Sequence, residues 1–243
     1  MGDPRRFYDD LAATYHLVFG DWDASVARQA AALAPLLAPG SRVLDCACGI
    51  GTQALGLAAL GYPVTGSDLS PAAVARAARE AASRSLALPV VAADMRALPF
   101  ASGSFDVVLA ADNAVPHLLT PADVAAAARE MRRVLRPGGG LVLSTRDYDT
   151  LRRDRPQATP PRRNADGTVT FQLWTWNAEG THYDLELFQV EPRGDGWTTA
   201  VRRATCWAIT RAELGRLLVE AGFTDVRWPD TDFFQPVLSA ASG

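Results

Sequence analysis

A carboxylate stands ahead of a glycine pair in the run Val43-Leu44-Asp45-Cys46-Ala47-Cys48-Gly49-Ile50-Gly51-Thr52, and three more, Asp68, Asp94 and Asp112, each follow a short apolar run. Glycine lets the backbone reverse tightly and leaves room for a ligand. A helix that starts there presents free N–H groups. Gly49-Ile50-Gly51-Thr52-Gln53-Ala54 satisfies the G-x-G-x-x-G/A pattern of a dinucleotide site, which keeps a nicotinamide-dependent oxidoreductase as an alternative. Asp45 points elsewhere, because a carboxylate at the strand end repels pyrophosphate and attracts a cation. Four carboxylates at one rim suit a cationic, hydroxyl-rich ligand better than a polyphosphate. Open α/β sheets bind ligands beyond the carboxyl ends of their strands.

The surrounding elements supply that rim. Residues 4–37 read as helical with an interruption at Asp21-Trp22-Asp23, followed by Pro39-Gly40. Strands are predicted over 41–46, 62–67, 88–93, 105–111 and 141–145. Between them the pattern gives helices over 52–60, from Ser70-Pro71 to about 85, and from Thr120-Pro121 to 135. Strands that are nearly all apolar and alternate with helices make a parallel sheet covered on both faces. Residues 146–164, rich in arginine and proline, read as a loop. Residues 168–177, 181–190 and 197–209 read as an antiparallel meander, and a helix over 210–221 and a strand over 223–228 return to the sheet. The expected fold is α/β: a Rossmann-like, mostly parallel seven-stranded sheet with helices on both faces and an antiparallel β insertion after strand five. One domain over 1–243 is expected, with a helical lid at 1–40, a cofactor core at 41–146, a substrate-side insertion at 147–209 and a closing segment at 210–243.

Composition narrows the partners. All 24 basic residues are arginine against 27 acidic ones, a net charge of −3. The absence of lysine excludes Schiff-base chemistry and the G-x-x-x-x-G-K-[ST] phosphate loop. A mildly acidic chain argues against a nucleic-acid partner, and no run reaches the ~18 apolar residues of a membrane span. No apolar stretch of signal-peptide type follows the first residues. Cys46, Cys48 and Cys206 match neither a disulfide framework nor zinc-ribbon spacing. A reducing cytoplasm and no metal site are expected; monomer and homo-oligomer both remain open.

The glycine run, its acidic neighbour and the order of the later carboxylates resemble the class I S-adenosylmethionine-dependent methyltransferases, over about residues 41–146 and 210–228. Ala47 replaces the first glycine of their G-x-G-x-G, as it does in glycine and sarcosine N-methyltransferases. The resemblance implies that Asp45, Ala47, Gly49 and Gly51 form the cofactor turn and that Asp68, with Leu69 beside it, takes the ribose hydroxyls. It assigns Asp94 and Met95 to the adenine, and Asp112 and Asn113 to the methionine end. In this family N-terminal helices close over the cofactor, which makes Tyr15, Trp22 and Arg28 candidates there, Arg28 for the methionine carboxylate.

On the acceptor side, Asn113-Ala114-Val115-Pro116-His117-Leu118 and Arg146-Asp147-Tyr148-Asp149 look like stretches of the glycine-type enzymes that reach substrate. His117 either removes a proton from the acceptor or orients it. Arg146 is a candidate substrate anchor, and Tyr148 offers a hydrogen bond or an aromatic face to an amine. Trp174 and Trp176 share one strand face and either roof the substrate or fill the core. The arginines at 152–163 either meet an anion or lie on a solvated loop. Methyl transfer to a small-molecule amine, leaving S-adenosylhomocysteine, is the leading expectation. O-methylation of a natural-product hydroxyl or acid, with His117 as base, is the runner-up, and a non-catalytic cofactor-binding module is a third class.

Overall fold

The computed structural model describes residues 2–243. Seven strands form one sheet: β1 (Val43–Asp45), β2 (Val64–Asp68), β3 (Val90–Ala92), β4 (Phe105–Ala110), β5 (Leu135–Ser144), β10 (Phe223–Arg227) and β11 (Val237–Ser242). Their order is β10-β11-β5-β4-β1-β2-β3. β1 pairs parallel with β2 and β4, while β11 runs antiparallel between β5 and β10. The order reverses at β1, so the ends of β1 and β4 flank the crevice where a ligand is expected.

Residue alternation divides the interior in two. Leu44, Val108, Leu141 and Leu143 pack on one side with residues of α5 (Pro121–Val134) and α7 (Arg211–Glu220). Val43, Val107, Leu109 and Val142 pack on the other with α2 (Trp22–Leu33) and α3 (Thr52–Ala59). Both faces of the sheet are thus apolar and covered, which is why its strands read as continuous hydrophobic runs. The helix starts follow local chemistry. The side chains of Asp3, Asp21, Ser70 and Thr120 each accept a backbone N–H at the starts of α1 (Pro4–Leu11), α2, α4 (Pro71–Ser83) and α5. No helix among the described residues is long and apolar enough to cross a membrane.

The insertion is a second sheet, ordered β6 (Arg162–Arg163), β7 (Val169–Trp176), β8 (His182–Arg193) and β9 (Gly196–Trp207). Its inner face, with Trp174, Tyr183, Leu185 and Cys206, joins the same core as Phe7 and Leu11 of α1. The meander and the N-terminal helix therefore close over the rim together.

Four segments differ from the sequence pattern. The expected loop at 146–164 contains α6 (Tyr148–Asp154), because Asp147 caps its first turn, and it contains β6 as well. The helical stretch 4–37 is interrupted by a turn at 12–14 and narrows to a 3-10 helix at Tyr15–Phe19, and Asp21, read as an interruption, caps the start of α2 instead. β5 begins at Leu135, since Phe105 pairs with Leu135 before a register shift carries the strand past the glycines. β11 has no counterpart among the expected strands; it follows β10 closely in sequence and pairs antiparallel with it, but its other neighbour, β5, lies about a hundred residues earlier.

α2 crosses α3 closely enough that a Cβ on Gly56 would fall 2.6 Å from both the Ala30 Cβ and the Val26 carbonyl oxygen. Alanine ordinarily favours a helix over glycine. Here Gly56→Ala is expected to destabilise by about 1–3 kcal/mol, read as a lowered urea midpoint at unchanged slope.

Candidate active site

The turn after β1 is built around two carboxylates. Asp68, at the end of β2, accepts from the Gly49 N–H at 2.8 Å and from the Ser70 N–H at 2.9 Å. Gly49 takes φ +54° to make this reversal, and a Cβ there would sit 3.6 Å from the Tyr15 ring. Asp45 is 1% exposed; its Oδ1 accepts a 3.3 Å bond from Ala47 N–H, and its Oδ2 has no partner. Burial pushes its carboxyl up to about 7, against the pull of Ala47 and with help from the Asp68 charge. A buried carboxyl oxygen without a partner beneath the turn is costly unless a donor or a cation satisfies it.

The next rim positions are already partly engaged. Asp94 holds Arg96 at 2.6 Å, and Arg96 also reaches Asp123 at 2.6 Å. Desolvation works to raise the Asp94 carboxyl, and the Arg96 guanidinium more than reverses it. After β4, Asp112 and Asn113 both take left-handed φ, +54° and +68°, a costly conformation for non-glycine residues that marks functional turns. A polar network holds them there. Ser144 Oγ accepts from Asp112 N–H at 2.8 Å and donates to Gln235 Oε1 at 3.0 Å, and Gln235 returns a 3.1 Å bond to Asp112. Asn113 Oδ1 accepts from the Arg146 N–H at 3.1 Å and from the Tyr148 hydroxyl at 2.9 Å.

Two cavities meet at this rim. The first, about 560 Å³, runs over the β1 turn and the ends of β2 and β3; the second, about 410 Å³, lies under α1 and the meander. Tyr8, Tyr15, Asp112 and His117 line both. The Tyr8 hydroxyl lies 2.9 Å from His117 Nε2. Burial, then the Arg146 charge, lower the imidazole to about 4, so His117 is neutral at physiological pH. The chambers have opposite signs. The first is lined by Asp3, Asp68, Asp94, Asp112 and Asp123 against Arg5 and Arg96. The second is lined by Arg28, Arg146 and Arg162 against Asp112 alone among the described residues.

Most expected site residues reach a chamber wall. Ala47, Gly49, Asp68, Leu69, Asp94 and Met95 line the first. Arg28, Asn113 and Arg146 line the second, so Arg28 faces the second chamber and not the first. Others stand one layer behind. Trp22 donates to Thr52 Oγ1 at 2.9 Å and packs in the core. Asp45 and Gly51 lie under the turn, outside both linings. Tyr148 is 1% exposed and bonded to Asn113 and Tyr183, and Trp174 lies 4.7 Å beneath the Arg146 guanidinium. Tyr148 and Trp174 therefore position Asn113 and Arg146 and do not face a ligand, because the apolar inner face of the meander draws them into the core. The arginine cluster also divides: Arg152 pairs with Glu213, whereas Arg162 turns into the second chamber. Tyr8, Gln172 and Gln235 line chambers without having been singled out from the sequence. Tyr8, seven residues before Tyr15 on the helical face, carried the one available signal.

The residues present fit a sulfonium nucleoside. The acidic wall, with the side-chain-free turn at Gly49 beneath it, matches a cation with ribose hydroxyls, whereas the same carboxylates would repel a dinucleotide pyrophosphate.

Residues 43–139 match a family model described as a methyltransferase domain. The chain is 31% identical over 191 residues to an uncharacterised methyltransferase of Synechocystis sp., spanning 79% of this chain and 70% of that one. Relatives from Mycobacterium tuberculosis and Mycobacterium bovis are 38% identical over 146 residues, 57% of this chain, and the chain spans about half of their length, 52%. Among solved structures, the CcbJ methyltransferase from Streptomyces caelestis gives a TM-score of 0.80 at 22% identity, covering 99% of this chain and 100% of that one. A SAM-bound amino pentose methyltransferase from Micromonospora echinaspora gives 0.74 at 22% identity, covering 94% and 96%. At that identity the likeness is one of fold.

Asp45 makes the ligand-free protein sensitive to pH. Its folded pKa is raised, so its stabilising contribution is complete below the unfolded value near 4 and is lost as pH rises through about 7. Asp45→Asn removes that penalty. The variant is expected to gain stability relative to the parent between pH 5 and pH 8, and denaturation midpoints at the two pH values check it.

Proposed function

The chain belongs to the class I S-adenosylmethionine-dependent methyltransferases, and we propose that it moves a methyl group from that cofactor to a small-molecule amine. The observation that carries this reading is the shared wall: an acidic chamber and a basic one meet at Tyr8, Tyr15, Asp112 and His117. The cofactor, when bound, supplies a methyl group on a positively charged sulfur that leaves readily.

The chain's residues supply binding, alignment and exclusion of water. Asp68 offers its carboxylate to the ribose hydroxyls, and Met95 with Leu118 offers apolar surface to the adenine. Asp112 provides negative charge where the two chambers meet, Asp45 supports the turn from below, and Arg28, on the wall of the second chamber, is the candidate for a methionine carboxylate that reaches through the shared opening. α1 and the meander close the second chamber, where holding nucleophile and methyl carbon in line contributes most of the acceleration.

Two features favour nitrogen over oxygen. His117, lowered to about 4, is too weak a base to take a proton from an alcohol. Arg28, Arg146 and Arg162 around the second chamber disfavour a protonated amine and so deliver the free base. The finer reading is an amino acid acceptor, the class to which glycine and sarcosine belong, whose carboxylate meets Arg146, with Gln172 and Tyr183 already holding that guanidinium at 3.1 and 2.9 Å. The Tyr8–His117 pair supports the second reading, O-methylation, because a linked phenol and imidazole can relay a proton.

Thermal shift with S-adenosylhomocysteine and with NAD separates cofactor classes. A ligand at 100 times its dissociation constant adds about 2.7 kcal/mol, and stabilisation by NAD alone would sink the proposal. Asp68→Asn is expected to weaken S-adenosylhomocysteine by about 1.5–3 kcal/mol, the scale of hydrogen bonds to a charged group, read by calorimetry. Turnover with glycine, sarcosine and a phenol panel tests the acceptor, and no turnover with any amine refutes the nitrogen reading. His117→Asn is expected to retain amine methylation within about tenfold, whereas a hydroxyl acceptor relying on the imidazole as base would lose roughly 10²–10⁴-fold.

A further inference from the structure

β6 carries two adjacent arginines, and strand alternation sends them to opposite faces. Arg163 leans over the Trp197 ring, 5.8 Å from its centre. Arg162 turns into the second chamber, where its Nη1 donates to the Val18 carbonyl at 3.0 Å. That bond ties the insertion to the N-terminal segment and fixes the guanidinium in place. Arg162 remains exposed, and no carboxylate among the described residues reaches ion-pair distance of it. Once Arg146 is assigned to an acceptor carboxylate and Arg28 to the cofactor, Arg162 is a third cation at the chamber with no anionic partner among the described residues.

The chamber's size and lining are equally unexplained by a glycine-sized acceptor. Its volume of about 410 Å³ lies in the range of about 300–1,000 Å³ typical of pockets for drug-sized ligands. Leu11, Val18, Phe19, Leu185, Leu187 and Phe234 contribute to the wall. Glycine and sarcosine have no apolar body to cover such a surface.

Resting on the methyl-transfer reading above, we propose that the acceptor is an elongated amino acid, with an apolar body against the leucine and phenylalanine wall and a second anionic group, carboxylate or phosphate, held by Arg162. The amine end then lies at the shared wall beside Asp112 and His117, and the distal anion sits where the insertion meets the N-terminal segment. Arg162 acts on specificity and takes no part in the transfer. A guanidinium can offer two parallel N–H bonds to either anion; its partial solvation limits the gain to a few-fold.

Titration calorimetry on protein saturated with S-adenosylhomocysteine tests this with three probes: phenylalanine, 4-carboxyphenylalanine and O-phosphotyrosine. At least one anionic probe is expected to bind about fivefold tighter than phenylalanine, the gain of a partly solvated ion pair, and the tighter of the two identifies the anion. Arg162→Gln is expected to abolish that difference, while Arg162→Lys restores part of it. Equal affinity for all three probes, a preference that survives Arg162→Gln, or failure of both anionic probes to bind would each overturn the inference. The saturation step reports separately on the methyl-transfer reading: if S-adenosylhomocysteine does not bind, that reading falls, and the same three titrations on the ligand-free protein still decide the role of Arg162.

Discussion

The Asp68 carboxylate spans two chain reversals, accepting the Gly49 N–H on one side and the Ser70 N–H on the other. Each is a β-to-α turn whose donors have no partner within their own helix. One carboxylate satisfying both fixes the spacing of β1 and β2 at their carboxyl ends, and with it the floor of the first chamber. The Asp9 carboxylate extends the arrangement by accepting from Ser70 Oγ at 2.5 Å and Ala72 N–H at 3.2 Å. The N-terminal helix is thereby tied to the start of α4 and presents Tyr8 to His117. The turns thus depend on the buried Asp68 carboxylate, and the placement of the N-terminal helix on Asp9 beside it.

A second network performs the corresponding task at the second chamber. Asp112 and Asn113 hold left-handed backbone because Ser144, Gln235, Arg146 and Tyr148 take up their polar groups. These partners come from β5, from the segment before β11, and from α6. Tyr183 of the meander completes the set through Tyr148 and Arg146. Buried polar networks are costly unless fully paired. The insertion is therefore locked to the sheet in one arrangement, and the Arg146 guanidinium is held over the Trp174 ring.

The two networks produce opposite fields a few residues apart. An acidic chamber favours a cation, a basic one favours an anion, and His117 stands between them without charge. Such sorting of charge accounts for orientation of two reactants without a strong acid or base.

The local signals in the sequence carried far. Asp45, Gly49, Asp68 and Asp94 could be placed at strand ends because apolar runs and capping residues are short-range features, and the absence of lysine already made every cation an arginine. The meander was legible from its turns. Folding alone decided which arginine went where: Arg152 to Glu213, Arg163 to the outer face, Arg28 and Arg162 into the second chamber. It also drew Tyr148 and Trp174 behind the wall and brought Tyr8 and Gln235 onto it. Sequence pattern fixes the period and the ends of an element, and so the rim. Which side chains converge across that rim depends on contacts between residues more than a hundred positions apart, such as Tyr8 with His117 and Gln235 with Asp112, and no local pattern encodes those.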